Sequence, residues 1–270
     1  MDELKQTGIK EEQIIYINFE FADYIDITDA KKLNNFIEKK LVNKNKYYVF
    51  FDEIQNVSNW EKVVNSLKSK YKENISIFIT GSNSDLLSGE LATHIAGRYV
   101  SFKVYPFTFD EVCEFKNIKN KDKYELEKTF NDYIIWGGMP QRFSMDDELQ
   151  VKTYLSDVYN SIVIKDIVER FKIKDLDLFN KILTFIVTTP SQTFSAESLS
   201  NYLLSEKIEV SKITIYNYLE YMCRAMLINK ADRYDVRGKR ILNGKYKYYL
   251  TDLGLGQVTN NERKNKWEHT

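Results

Sequence analysis

The chain has 270 residues, room for two domains that each bury a core, and its 39 basic and 39 acidic side chains cancel. Net charge therefore points to neither a nucleic acid nor a membrane surface as partner, and only a local concentration of charge could do so. Two distant cysteines, Cys113 and Cys223, exclude a disulfide framework, no apolar run nears the roughly 18 residues of a membrane span, and the polar start Met1-Asp2-Glu3 is no signal peptide, so the expected location is the cytoplasm with no membrane partner.

Ile14 to Phe19 is β-branched and aromatic and predicts a short buried strand. Asp29 to Leu41 has helical spacing, with Leu33, Phe36, Ile37 and Leu41 recurring at three and four, and Asn43-Lys44-Asn45 stops it. Tyr47 to Phe51 (YYVFF) is continuously apolar, as expected of a parallel strand buried on both faces, and it ends abruptly in Asp52-Glu53. A helix over about Trp60 to Tyr71 follows, then a third strand over Ile75 to Thr80, closed by Gly81-Ser82-Asn83. Val100 to Tyr105, before Pro106, reads as a fourth strand. This alternation predicts an α/β fold with right-handed crossovers.

From Phe109 to Leu183 the strand signal gives way to amphipathic helical patterns, interrupted by Gly137-Gly138-Met139-Pro140, which fits a tight turn between helices. Ser195 can cap a helix from Ala196 to about Leu204, and a second helix spans Lys212 to Ala225. Leu227 to Asp232 and Tyr246 to Leu250 then read as strands flanking a turn with Gly238 and Gly244. Together they predict a helix-turn-helix followed by a hairpin wing.

The chemistry concentrates where apolar strands end. At the carboxyl end of a parallel sheet, where ligands lie, Asp52 would hold magnesium. Glu53 would orient a water or accept its proton. A strand closing in two acids is also what a solvated turn looks like. The neighbouring tip, Thr80-Gly81-Ser82-Asn83, offers polar groups where a sensor of a terminal phosphate is needed. Arg98, just before the fourth predicted strand, reads either as a cationic stabiliser of transition-state charge or as a surface arginine.

The segments YYVFFDEIQNVSNWEKVVNSL and IFITGSNSDLLSGELATHIAGRYVSFKVYPFTFDEV strongly resemble prokaryotic AAA-type ATP-binding proteins, and the resemblance continues through YIIWGGMPQRF, SAESLSNYL and KYYLTDLGL. It implies a parallel-sheet P-loop ATPase core, a helical lid, a winged helix and a nuclease-like end. By the same resemblance Asp52 matches the magnesium-binding acid, Glu53 the catalytic acid and Ser82-Asn83 the sensor segment, while Arg98 falls in the family's GRY element. ATP and magnesium are the cofactors it implies. The expected division is an AAA-type core over 1–108, a lid and linker over 109–189, a winged helix over 190–255 and a polar tail over 256–270.

One part is missing from the sequence. A phosphate-binding loop follows GxxxxGK[ST], because glycines let backbone N–H groups wrap phosphates while lysine reaches the terminal ones. No such match occurs; the two Gly-Lys pairs, Gly238-Lys239 and Gly244-Lys245, are followed by Arg240 and Tyr246. The resemblance places the loop upstream of Met1 and further sequence beyond Thr270, so the expectation is a chain truncated at both ends, with its first strand absent and its ATPase activity impaired.

The wing carries local charge, seven basic residues against two acidic ones between Leu227 and Leu250. Lys212, Arg237, Lys239 and Arg240 are the candidate nucleic-acid contacts. The predicted reading helix, with Tyr216, Asn217, Tyr218, Glu220 and Tyr221, suits packing against a protein partner or a second copy as well.

Overall fold

A computed structural model describes residues 1–81, 99–118, 122–189, 193–235 and 240–258, with the backbone alone at 235 and 240–245. The chain divides into two units, Met1–Phe102 and Lys103–Thr270.

In the first unit the β-branched and aromatic runs form β1 (Ile14–Asn18), β2 (Tyr47–Asp52) and β3 (Ile75–Ile79), a parallel sheet in the order β1-β2-β3. Register is direct, Ile17 opposite Phe51 and Phe51 opposite Ile79. A short α1 (Asp2–Gln6) precedes the sheet, while α2 (Ala30–Lys40) and α3 (Trp60–Tyr71) form the crossovers. Asp29 caps α2, its carboxylate accepting from the N–H groups of Lys31 and Lys32 at 2.9 and 3.0 Å. Both crossovers bring their helices to one face. There Leu33 and Ile37 of α2 and Val63, Val64 and Leu67 of α3 bury against Ile15, Ile17, Tyr47, Val49 and Phe51.

The sheet corrects the expectation that YYVFF is buried on both faces. Tyr47, Val49 and Phe51 are buried, whereas the alternate residues Tyr48, Phe50 and Asp52 are half-buried. Aromatics on that second side cover one another instead, Phe50 stacking on Phe78 of β3 at 4.7 Å between ring centres. The fourth predicted strand is also absent. Residues 99–105 form no ladder, and Val100, Phe102 and Val104 are 77%, 83% and 88% exposed. Strand propensity is local, but a strand exists only when a neighbouring edge takes up its N–H and C=O groups.

The second unit begins with α4 (Phe109–Phe115), α5 (Lys123–Trp136), α6 (Glu148–Ser161) and α7 (Leu176–Thr188). A π-helical stretch, Ile162–Glu169, continues α6. Then come α8 (Ala196–Ser205), α9 (Lys212–Arg224) and the antiparallel hairpin of β4 (Ile228–Asp235) and β5 (Arg240–Leu250). Ser195 and Ser211 cap α8 and α9. Phe194 joins the hairpin through its N–H to the carbonyl of Tyr246 at 2.8 Å. Leu155, Ile167, Phe179, Ile182, Leu199, Ile215, Met222 and Tyr248 make one core.

The Gly137-Gly138 turn is a packing device. Gly137 takes φ +71°, and a Cβ on Gly138 would stand 2.0 Å from the carbonyl oxygen of Phe107. Buried Asp252 accepts from the N–H of Gly138 at 2.7 Å and of Gly254 at 2.8 Å, while buried Arg142 donates through Nε to the Gly137 carbonyl at 2.8 Å. Among the described residues no helix is long and apolar enough to cross a membrane.

Candidate functional site

The tip of β2 is built from three adjacent strands. Because β1 and β2 pair in direct register, Asn18 stands opposite Asp52, and Tyr16 lies two residues back on the same face. The Asp52 carboxylate accepts from the Tyr16 hydroxyl at 2.8 Å and the Asn18 amide at 3.1 Å on Oδ2, and from the Thr80 hydroxyl on Oδ1. The hydrogen bond to Asp52 is the largest of the causes that push the Tyr16 phenol above its ordinary value, so it stays a donor at neutral pH.

Backbone bonds fix the same tip. The Thr80 N–H donates to the Phe51 carbonyl at 2.8 Å, and the Phe19 N–H donates to the Asp52 carbonyl at 3.0 Å. Glu53 then turns the chain out of the strand with φ +54° and ψ +44°, a left-handed conformation uncommon outside glycine. Its neighbour Ile54 is fully buried, and Gln55 donates through its side-chain amide to Glu53 Oε2. Phe51 below and Ile54 above anchor the turn in the core, so the two acids project from a rigid edge.

Magnesium is commonly bound by one or two carboxylates together with substrate phosphates. Among the described residues no group of three or more acids, histidines or cysteines could hold a metal. Asp52 fits the single-carboxylate role. A carboxylate offers about four acceptor positions, and three are taken by Tyr16, Asn18 and Thr80.

Of the predicted residues, Asp52 and Glu53 lie together at this tip. Ser82, Asn83 and Arg98 lie outside the described residues. Sequence reading placed Thr80 at the neighbouring tip but not on Asp52, and it missed Tyr16, Asn18 and Gln55, since only strand register reveals that Tyr16, Asn18 and Thr80 converge on Asp52. In the second unit Lys212 opens α9 and faces Glu197 at 3.7 Å. Arg237 and Lys239 lie outside the described residues, as does the side chain of Arg240.

A family model described as an AAA domain matches residues 1–113, and one described as a domain of unknown function (DUF8612) matches residues 127–265. The chain is 39% identical over 255 residues to an uncharacterized protein of Haemophilus influenzae, covering 94% of this chain and 63% of that protein. It is 34% identical over 261 residues to an uncharacterized protein of Methanocaldococcus jannaschii, covering 94% and 58%. A second protein of that archaeon is 27% identical over 266 residues, covering 89% and 51%. The chain thus spans less than two thirds of the length of these relatives. Among solved structures, that of the Aeropyrum pernix ORC1 protein in complex with DNA superposes with a TM-score of 0.32 at 12% identity, covering 97% of this chain and 80% of that one, too loosely to carry an argument. With an AAA domain at its amino end and the DUF8612 model matching just over half of its residues, the chain belongs to the DUF8612 family.

Proposed function

We propose that the β2 tip is the hydrolytic half of a magnesium-dependent ATP site, and that this chain by itself turns ATP over slowly or not at all. The observation that carries the reading is Asp52, held by two donors from β1 and one from the residue that follows β3, with Glu53 beside it on a turn anchored by Ile54. The AAA-domain match over residues 1–113 supports it. Magnesium, when bound, neutralises charge on the transferring phosphoryl group. Asp52 would supply one oxygen to the metal, and the donors around it fix that oxygen's direction. Glu53 would orient the attacking water and take its proton, with Ser82, Asn83 and Arg98 serving the terminal phosphate. The sequence holds no GxxxxGK[ST] run, so backbone N–H groups to cradle the phosphates are not supplied by such a loop.

Manganese, a paramagnetic substitute for magnesium, tests the metal site. It is expected to broaden the amide resonances of Asn18, Asp52 and Thr80, and Asp52→Asn is expected to abolish the effect; broadening elsewhere, or broadening that survives the substitution, sinks the assignment. Phosphate release tests whether this chain by itself turns ATP over. Turnover above about 0.1 per second that disappears in Glu53→Gln would show the chain to be a competent ATPase alone.

A second reading has its own observation. The helix pair α8–α9 precedes a hairpin whose sequence is strongly basic, an arrangement that supports a winged helix acting on nucleic acid, on a protein partner or in a homo-oligomer.

A further inference from the structure

We propose that Gln55 is the positioning residue for Glu53, its side-chain amide clamping the carboxylate in one orientation over the β2 tip. The inference rests on the reading of Glu53 as the residue that orients water, and it concerns how that orientation is kept.

Three observations converge on it. First, Gln55 Nε2 donates to Glu53 Oε2, occupying one carboxylate oxygen and leaving the other free to face a ligand. Second, the opposite end of the same amide, Gln55 Oε1, is buried and has no hydrogen-bond partner among the described residues. Such an atom is costly, and Gln55 is only half-buried, so rotation about its side-chain bonds would return the carbonyl to water. The bond to the Glu53 carboxylate is the interaction that holds it in place. Reversing the amide would give no relief, because it would set the carbonyl against the carboxylate. Third, the backbone between the two residues has little freedom. Ile54 is fully buried with its N–H directed to the Thr80 carbonyl at 3.4 Å, and the Asn56 N–H donates to the Glu53 carbonyl at 3.2 Å. With the main chain fixed, the carboxylate can wander only by side-chain rotation, and the Gln55 amide is what limits it. A carboxylate that aligns water must be held, since small misplacements of an aligning group cost large factors in rate.

The test is the side-chain amide signal of Gln55 in the ¹⁵N-labelled full chain. In the wild type one amide proton is expected downfield, exchanging with water about tenfold more slowly than in Glu53→Ala, the protection that one charge-assisted hydrogen bond provides. In Glu53→Ala the pair is expected at ordinary glutamine positions. Glu53 is half-exposed, so that variant keeps the core; in the reciprocal Gln55→Ala the Glu53 carboxyl carbon signal is expected to move. A Gln55 amide that is ordinary in the wild type, or unchanged in Glu53→Ala, overturns the proposal. Manganese broadening separates this from the metal-site reading. Broadening at Asn18 and Thr80 with an ordinary Gln55 amide defeats the clamp alone, whereas a protected amide without broadening supports the clamp and defeats the nucleotide reading.

Discussion

Asp252 shows how one buried carboxylate can hold a glycine turn between helices. Burial is the largest influence on its carboxyl and raises it from the ordinary 3.8, against the opposing N–H donors of Gly138 and Gly254. An acid whose folded pKa lies above its unfolded one binds more protons in the folded state. Its contribution is therefore fullest below about 3.8 and declines as pH rises through the raised folded value. Asp252→Asn removes that titration and sets a side-chain N–H₂ against one of two backbone donors. The variant is expected to be destabilised by about 1–3 kcal/mol, with the gap from wild type narrowing between pH 4 and neutrality. Urea unfolding across that range measures it, and a gap that widens with pH would mean that burial is not the dominant influence.

At the scale of elements, the strands β1, β2 and β3 and the helices α2 and α3 were legible because their signals are local. Leu33 and Ile37, or Val63, Val64 and Leu67, recur on one helical face whatever surrounds them. The Val100 to Tyr105 signal was equally strong and did not become a strand, since pairing is not a local property. YYVFF likewise could not say that only alternate residues would be covered. The site was half legible for the same reason. Asp52 and Glu53 are adjacent in sequence, but Tyr16 and Thr80 reach Asp52 only through register across the sheet. This difference between propensity and packing can be measured. Leu67 is fully buried, so Leu67→Ala is expected to cost about 2–5 kcal/mol. Phe102 is 83% exposed, so Phe102→Ser is expected to change stability by no more than about 0.5 kcal/mol. A Phe102→Ser loss comparable to that of Leu67→Ala in urea melts would show that the segment is packed in solution.

For the whole molecule, 39 charges of each sign hide an uneven distribution, and the segment from Leu227 to Leu250 is where basic residues concentrate. Lys230 of this segment and Lys212 at the start of α9 already have partners. Lys230 lies 3.5 Å from Asp232 and 3.6 Å from the centre of the Tyr246 ring, and Lys212 faces Glu197. These exposed pairs are weak and would yield to phosphate. Arg237, Lys239 and Arg240 are the candidate contacts within that segment, so they test whether it grips a polyanion. If it does, duplex DNA binding without nucleotide is expected to weaken with salt along a log–log line. Neutralising all three residues is expected to flatten that slope by about 2–3, near 0.9 for each phosphate that is no longer neutralised. The measurement is fluorescence anisotropy from low to physiological salt. A slope unchanged by the triple substitution would show that these three residues contact no phosphate, because only phosphate neutralisation releases counterions in proportion to the charges removed.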